Sequence, residues 1–147
     1  MRRMSLLVLL MAGLFLLAPG LPASAADLQE SLNTFLSALP ADFETIPPQN
    51  VSAKLNAGEN LFVLDVREPA EYQAGHIEGA VNIPIRTLAQ NLSKLPADKG
   101  TPVAVVCKSG IRAAYGTMTL KLVGYKNVKD ISGGMLAWEK EGLPLKK

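Results

Sequence analysis

The stretch PVAVVCKSGIRAAYG, residues 102–116, passes from an unbroken apolar segment through a Lys-Ser-Gly turn into a segment with helical spacing. An apolar run without alternation is what a strand covered on both faces of a parallel sheet requires. PVAVVC (102–107) is the longest β-branched run beyond the first 25 residues, which predicts a central strand, and the helix it feeds is predicted over Ile111 to Val123. Cys107, the only cysteine of the chain, stands at the carboxyl end of that strand.

Working outward, LFVLDV (61–66) and VNIPI (81–85) show the same continuous pattern, and VKDI (128–131) is a shorter fourth candidate strand. Helical stretches fall between them, over Pro69 to Ala74, Ile85 to Leu92 and Gly134 to Lys140. The segment ETIPPQN (44–50) reads as a short extended piece entering a helix at Pro47-Pro48, continued by Val51 and Leu55 and closed by Gly58. Before it, Asp27 is placed to cap a helix whose apolar positions Leu28, Leu32, Phe35, Leu36 and Leu39 share one face, with Pro40 ending it. Strands alternating with helices define an α/β domain built on a mostly parallel sheet. In such sheets ligands bind beyond the carboxyl ends of the strands, which is where Cys107 lies.

The first residues read differently. Met1, Arg2 and Arg3 precede an apolar run from Leu6 to Ala18, and Ala23-Ser24-Ala25 has the small-x-small form of a cleavage site, so residues 1–25 are expected to be a cleaved secretory signal. Thirteen apolar residues fall short of the roughly 20 that span a bilayer. The expectation is therefore a periplasmic or secreted protein with no stable membrane insertion after cleavage. Arg2 and Arg3 also account for the excess of two positive charges over the whole chain. The remainder is balanced and carries no basic stripe, which argues against a nucleic-acid partner. A single cysteine excludes an internal disulfide, and a chain of this length needs none to bury a core.

The loop after Cys107 has its own chemistry. Small residues between a strand and a helix leave backbone N–H groups converging near the first loop residue, and the positive end of the helix dipole adds to them. Lys108 and Arg112 bring cations, and Gly110 lets the backbone turn closely around the sulfur. Together these make a nucleophile with an anion cradle, as opposed to an inert cysteine at a strand end. His76 is the only histidine, so a His/Cys metal site lacks ligands and no cofactor is expected. Its setting in GHIEGA, a glycine-flanked turn, marks it as structural more than as the partner of a Cys-His dyad.

These residues carry a family resemblance. LDVREPAEYQAGHIEGAVNIPI (64–85) resembles the first signature of the rhodanese-like sulfurtransferases, with Asp65, Arg67, Tyr72, Gly75, His76, Ile77, Gly79, Ala80, Asn82 and Pro84 in place. CKSGIRA (107–113) resembles their catalytic loop, and YKNVKDISGGMLAWEKEGLP (125–144), with Gly133, Gly134 and Trp138, their C-terminal signature. The resemblance runs from Phe43 to Leu145 and leaves residues 26–42 as an N-terminal helical extension before a domain over 43–147. It implies a three-layer α/β fold, a five-stranded parallel sheet flanked by helices on both faces, with the cysteine at the base of a shallow pocket. It also implies sulfane-sulfur transfer from thiosulfate or a persulfide donor to cyanide or a thiol acceptor, a protein thiol included, through a Cys107 persulfide. The loop residues Lys108, Ser109, Gly110, Ile111 and Arg112 would bind the substrate.

Four residues separate Cys107 from Arg112, whereas the related cysteine phosphatases have five; the shorter loop favours sulfur over phosphate. Some members of the family carry a second basic residue where this chain has Ser109, and fewer charges weaken capture of a dianion. A non-enzymatic sulfur carrier or interaction module of the same fold is the alternative reading, prompted by the extension. Asp65 and Arg67 read as a structural pair fixing the loop after their strand, Trp138 and Tyr125 as core or pocket wall, and Gly133-Gly134 as a tight turn into the last helix.

Overall fold

The computed structural model describes residues 24–147. Five strands, β1 (Thr45–Ile46), β2 (Phe62–Asp65), β3 (Val81–Asn82), β4 (Val103–Val106) and β5 (Val128–Ile131), form one sheet in the order β1-β5-β4-β2-β3. Every pairing is parallel. β4 is central as its composition requires, flanked by β2 with Leu64 opposite Val105 and by β5 with Val105 opposite Asp130.

Alternation along the central strands sorts two cores. Val103 and Val105 face one side with Leu64, Val66, Leu88, Ala113 and Leu120, under helix α4 (Ile111–Leu122). Ala104 and Val106 face the other with Val63, Val51, Met135 and Trp138, under α2 (Pro48–Asn56) and α5 (Gly134–Lys140). Burial on both sides explains why no polar alternation shows in the sequence. Each wholly buried Val or Leu contributes about 1.5–3 kcal/mol.

α3 (Pro69–Ala74) matches its expected bounds. The fifth strand is β1, the short extended piece before Pro47, which adds to the sheet edge with Thr45 opposite Asp130. Ile85 to Leu92 is not an α-helix but a 3-10 helix over Ile85–Gln90, followed by another over Leu92–Lys94. Thr87 directs its N–H and its hydroxyl to Pro84 O, and Asn91 Nδ2 donates to Thr87 O. Such side-chain bonds compete with the α-helical ladder.

The extension forms α1 (Ala25–Ser37), and its cap is Ser24, not Asp27. Asp27 is the reciprocal member of the capping box: its N–H donates to Ser24 Oγ at 3.2 Å and its carboxylate accepts from Ser24 N at 2.9 Å. No residue of α1 is fully buried. The expected leader lies outside the described residues except for Ser24 and Ala25, which cap and open this helix.

Candidate active site

β4 delivers Cys107 to the carboxyl edge of the sheet, where its side chain is 1% exposed. Three residues later Gly110, at φ 99°, caps α4. That conformation is open to glycine and strained for other residues. It turns the Gly110 N–H back onto Cys107 Sγ at 3.2 Å. Lys108 and Ser109 are exposed, Ile111 is exposed at 69%, and Arg112 is half-buried.

The loop is held from behind by α5. Met135 N–H donates to Cys107 O at 2.8 Å and Leu136 N–H to Lys108 O at 3.0 Å. A Cβ on Gly134 would lie 2.3 Å from Cys107 O and 2.8 Å from Lys108 C. The Gly133-Gly134 turn thus does more than reverse the chain, because only glycine lets α5 back directly onto the cysteine loop.

Arg112 turns away from a purely solvent-facing role. Its Nη1 and Nη2 donate to Glu71 Oε2 and Oε1 at 2.6 and 2.8 Å, a bidentate pair spanning α4 and α3. Hydrogen bonding to Arg112 brings the Glu71 carboxyl down to about 2, against the opposing effect of partial burial and with help from the Glu68 N–H. The same bond raises Arg112 above its ordinary value, and the nearby Cys107 sulfur adds a smaller contribution. Glu71 was not singled out by sequence reasoning; it reads there as a helix-start acid three residues after Glu68, and its partner lies 41 residues away. Among the described residues Lys108 forms no ion pair, which leaves it the freer cation of the two.

Asp65 and Arg67 form a buried ion pair. Asp65 is 0% and Arg67 5% exposed. Arg67 Nη2 donates to Asp65 Oδ2 at 2.6 Å and to Gly75 O at 2.8 Å, and Arg67 N–H to Asp65 Oδ1 at 2.9 Å. Asn82 Nδ2 donates to the carbonyls of both residues at 2.9 Å, which ties β3 to this turn. His76 stacks on Tyr72 at 3.8 Å between ring centroids, with Nδ1 3.0 Å from Tyr72 O. Trp138 Nε1 donates to Pro144 O at 2.9 Å and Tyr125 OH to Pro96 O at 2.6 Å, both from within the core.

A second residue that sequence reasoning passed over is Asp130. It is 8% exposed, and burial pushes its carboxyl up to about 7. Its Oδ2 lies 3.7 Å from the Cβ position of Gly110, directly behind the cysteine loop. A cavity of about 780 Å³ lies instead at the amino ends of the strands, among Leu61, Pro102 and Asn127. Chemistry and not volume marks the 107–112 loop as the site, since ligands of parallel sheets bind at the carboxyl edge.

A doubly covered parallel sheet carrying a buried cysteine in a strand-to-helix loop, with an arginine five positions on, defines an α/β domain whose candidate site is a cysteine loop at the carboxyl edge of the sheet. The rhodanese-like domain family matches residues 47–141, and the chain belongs to that family. It is 32% identical over 100 residues to a sulfurtransferase of Allochromatium vinosum, covering 68% of this chain and 92% of that protein. It is 34% identical over 102 residues to the probable adenylyltransferase/sulfurtransferase MoeZ of Mycobacterium tuberculosis, covering 68% of this chain but only 26% of that longer protein. Among solved structures, a rhodanese-related protein from Thermoplasma volcanium superposes with a TM-score of 0.63 at 33% identity, covering 70% of this chain and 97% of the other.

Proposed function

We propose that the protein is a sulfurtransferase that carries sulfane sulfur on Cys107. The observation that supports this best is the buried Cys107 Sγ at the carboxyl end of β4, accepting the Gly110 N–H inside a loop whose carbonyls are pinned by α5. In the first half-reaction the Cys107 thiolate attacks the outer sulfur of thiosulfate. The S–S bond of the donor breaks, sulfite departs with the electron pair, and a Cys107 persulfide anion remains. In the second, cyanide or a thiolate attacks the terminal sulfur, a C–S or S–S bond forms, and the Cys107 thiolate is released.

Loop N–H groups stabilise the persulfide charge, with Gly110 already in place. Lys108 draws in the anionic donor. Arg112, shared with Glu71, fixes the start of α4 and contributes its charge to the leaving sulfite. Export is part of the proposal, supported by the composition of residues 1–25. Recovery from the periplasm with a new N-terminus near Ala26 would bear it out, and a mature protein beginning at Met1 would refute it.

The test is direct. Reduced protein incubated with thiosulfate should gain the mass of one sulfur atom on the Cys107 peptide, and cyanide should then release thiocyanate over repeated cycles. Cys107→Ser should do neither. Loading without turnover identifies a carrier instead of an enzyme, and absence of loading removes the proposal altogether.

A further inference from the structure

Arg112 is the cation that the loop spacing singles out, yet the structure commits it elsewhere. Both of its Nη groups donate to the Glu71 carboxylate, at 2.6 and 2.8 Å. Glu71 is fixed in its turn, because its Oε2 accepts the Glu68 N–H at 3.1 Å and closes the capping box of α3. The side chains of the pair retain 28% and 31% exposure. An anion arriving at the loop therefore meets a guanidinium whose charge a fixed carboxylate already balances.

The other charges around the loop leave little surplus. Arg67 is balanced by Asp65, and Ser109 is uncharged. Asp130, whose carboxyl burial pushes up to about 7, lies behind Gly110 with Oδ2 3.7 Å from that residue's Cβ position; once ionised it opposes the positive charge of the loop. Lys108 remains, exposed and in no ion pair among the described residues. Near it Ile111 is 69% exposed, and Leu136, whose N–H bonds Lys108 O at 3.0 Å, is 52% exposed. One free cation with apolar side chains at hand suits a singly charged organic donor better than a compact dianion.

We propose that Glu71 is a positioning residue that holds back the charge of Arg112 and thereby selects singly charged organic sulfane donors, of the thiosulfonate class, over doubly charged thiosulfate. This rests on the sulfur-transfer reading and adds the class of donor to it. The Cys107 thiolate attacks the outer sulfur of R–SO2–S−, the S–S bond breaks, the sulfinate leaves with the electron pair, and a Cys107 persulfide anion remains. Coulomb energy scales with the charge of the donor, so the monoanion loses least when Arg112 is masked.

Benzenethiosulfonate and thiosulfate are the probes, with sulfur loading of Cys107 in the whole chain followed by mass over time at pH 8. The wild type should reach half its maximal loading rate at a lower concentration of benzenethiosulfonate than of thiosulfate. Glu71→Gln keeps an acceptor for the Glu68 N–H and unmasks Arg112. It should raise the second-order loading rate about threefold for benzenethiosulfonate and about tenfold for thiosulfate, since a doubled charge gains the square of the factor. A purely structural role for Glu71 would lower both rates together. Adding Arg112→Gln to Glu71→Gln makes the pair neutral again and should return the ratio of the two rates to within about twofold of the wild type, whatever the absolute rates. Tighter saturation by thiosulfate in the wild type, a ratio unchanged in Glu71→Gln, or a double variant that keeps the ratio of Glu71→Gln would overturn the inference and leave sulfur transfer standing. No loading of the wild type by either donor would remove both.

Discussion

Replacing Asp130 by Asn should abolish the pH dependence that this one carboxyl imposes on stability. Burial places the group at about 7 in the fold, against about 3.9 in an unfolded chain. Between those values the folded protein holds a proton that the unfolded chain has shed, so stability falls as pH rises from 4 to 7 and is level above. At about 1.4 kcal/mol per pH unit the whole interval amounts to about 4 kcal/mol. Asp130 keeps 8% exposure, and screening by that residual contact with solvent reduces the figure to about 2 kcal/mol. Asn keeps the shape and carries no charge, so the variant should gain about 2 kcal/mol on the wild type between pH 4 and pH 8. Urea unfolding at each pH reads this as a relative midpoint shift of about 1 M, given slopes of about 1–3 kcal/mol/M. Other titrating groups are common to both proteins and cancel in the difference. A difference that stays constant from pH 4 to 8, or one that runs in the opposite direction, would refute the claim that Asp130 is buried without a counter-ion.

Glu71 should behave with the opposite sign. Its carboxyl is held at about 2, so the stability it lends is complete above about 4.5 and is lost as pH falls towards 2; partial exposure limits it to about 1 kcal/mol, and Glu71→Gln should flatten that acid limb in urea titrations. Gly134→Ala should lower the rate of sulfur loading by about a hundredfold, because the new Cβ displaces Cys107 O and misplaces the nucleophile; stopped-time mass analysis of the Cys107 peptide reads it, and an unchanged rate would mean that α5 does not position the loop. Arg67→Met should destabilise by about 3–5 kcal/mol by leaving Asp65 buried and unpaired, seen as a lower unfolding midpoint.

What the sequence made legible was what packing writes into it. PVAVVC is buried on both faces and shows it by having no alternation, so the central strand and its terminal cysteine could be read directly. β1 could be read only as a short extended piece, because two residues carry no periodicity and their place in the sheet comes only from pairing with β5. Ile85–Gln90 has the apolar spacing of a helix, but its 3-10 form depends on Thr87 and Asn91 side chains bonding locally. Asp27 looked like a cap because it stands before an apolar face, while the serine that caps lay within the segment expected to be removed. Glu71 and Asp130 escaped notice for a common reason: each owes its character to a neighbour, or the lack of one, far away in sequence.

Those distant neighbours also explain why three separate motifs occur together in one chain. The first signature brings Glu71, which takes both guanidinium nitrogens of Arg112 and thereby anchors the start of α4. The last brings Gly134, whose missing Cβ lets the Met135 and Leu136 N–H groups hold the carbonyls of Cys107 and Lys108. Between these two anchors the Gly110 N–H has one place to point, and Cys107 Sγ occupies it. A loop one residue longer between Cys107 and Arg112 could not keep all of these bonds, since the Glu71 contact fixes one end and the α5 contact the other. The four-residue spacing is therefore matched to the bonds that α3 and α5 make with this loop.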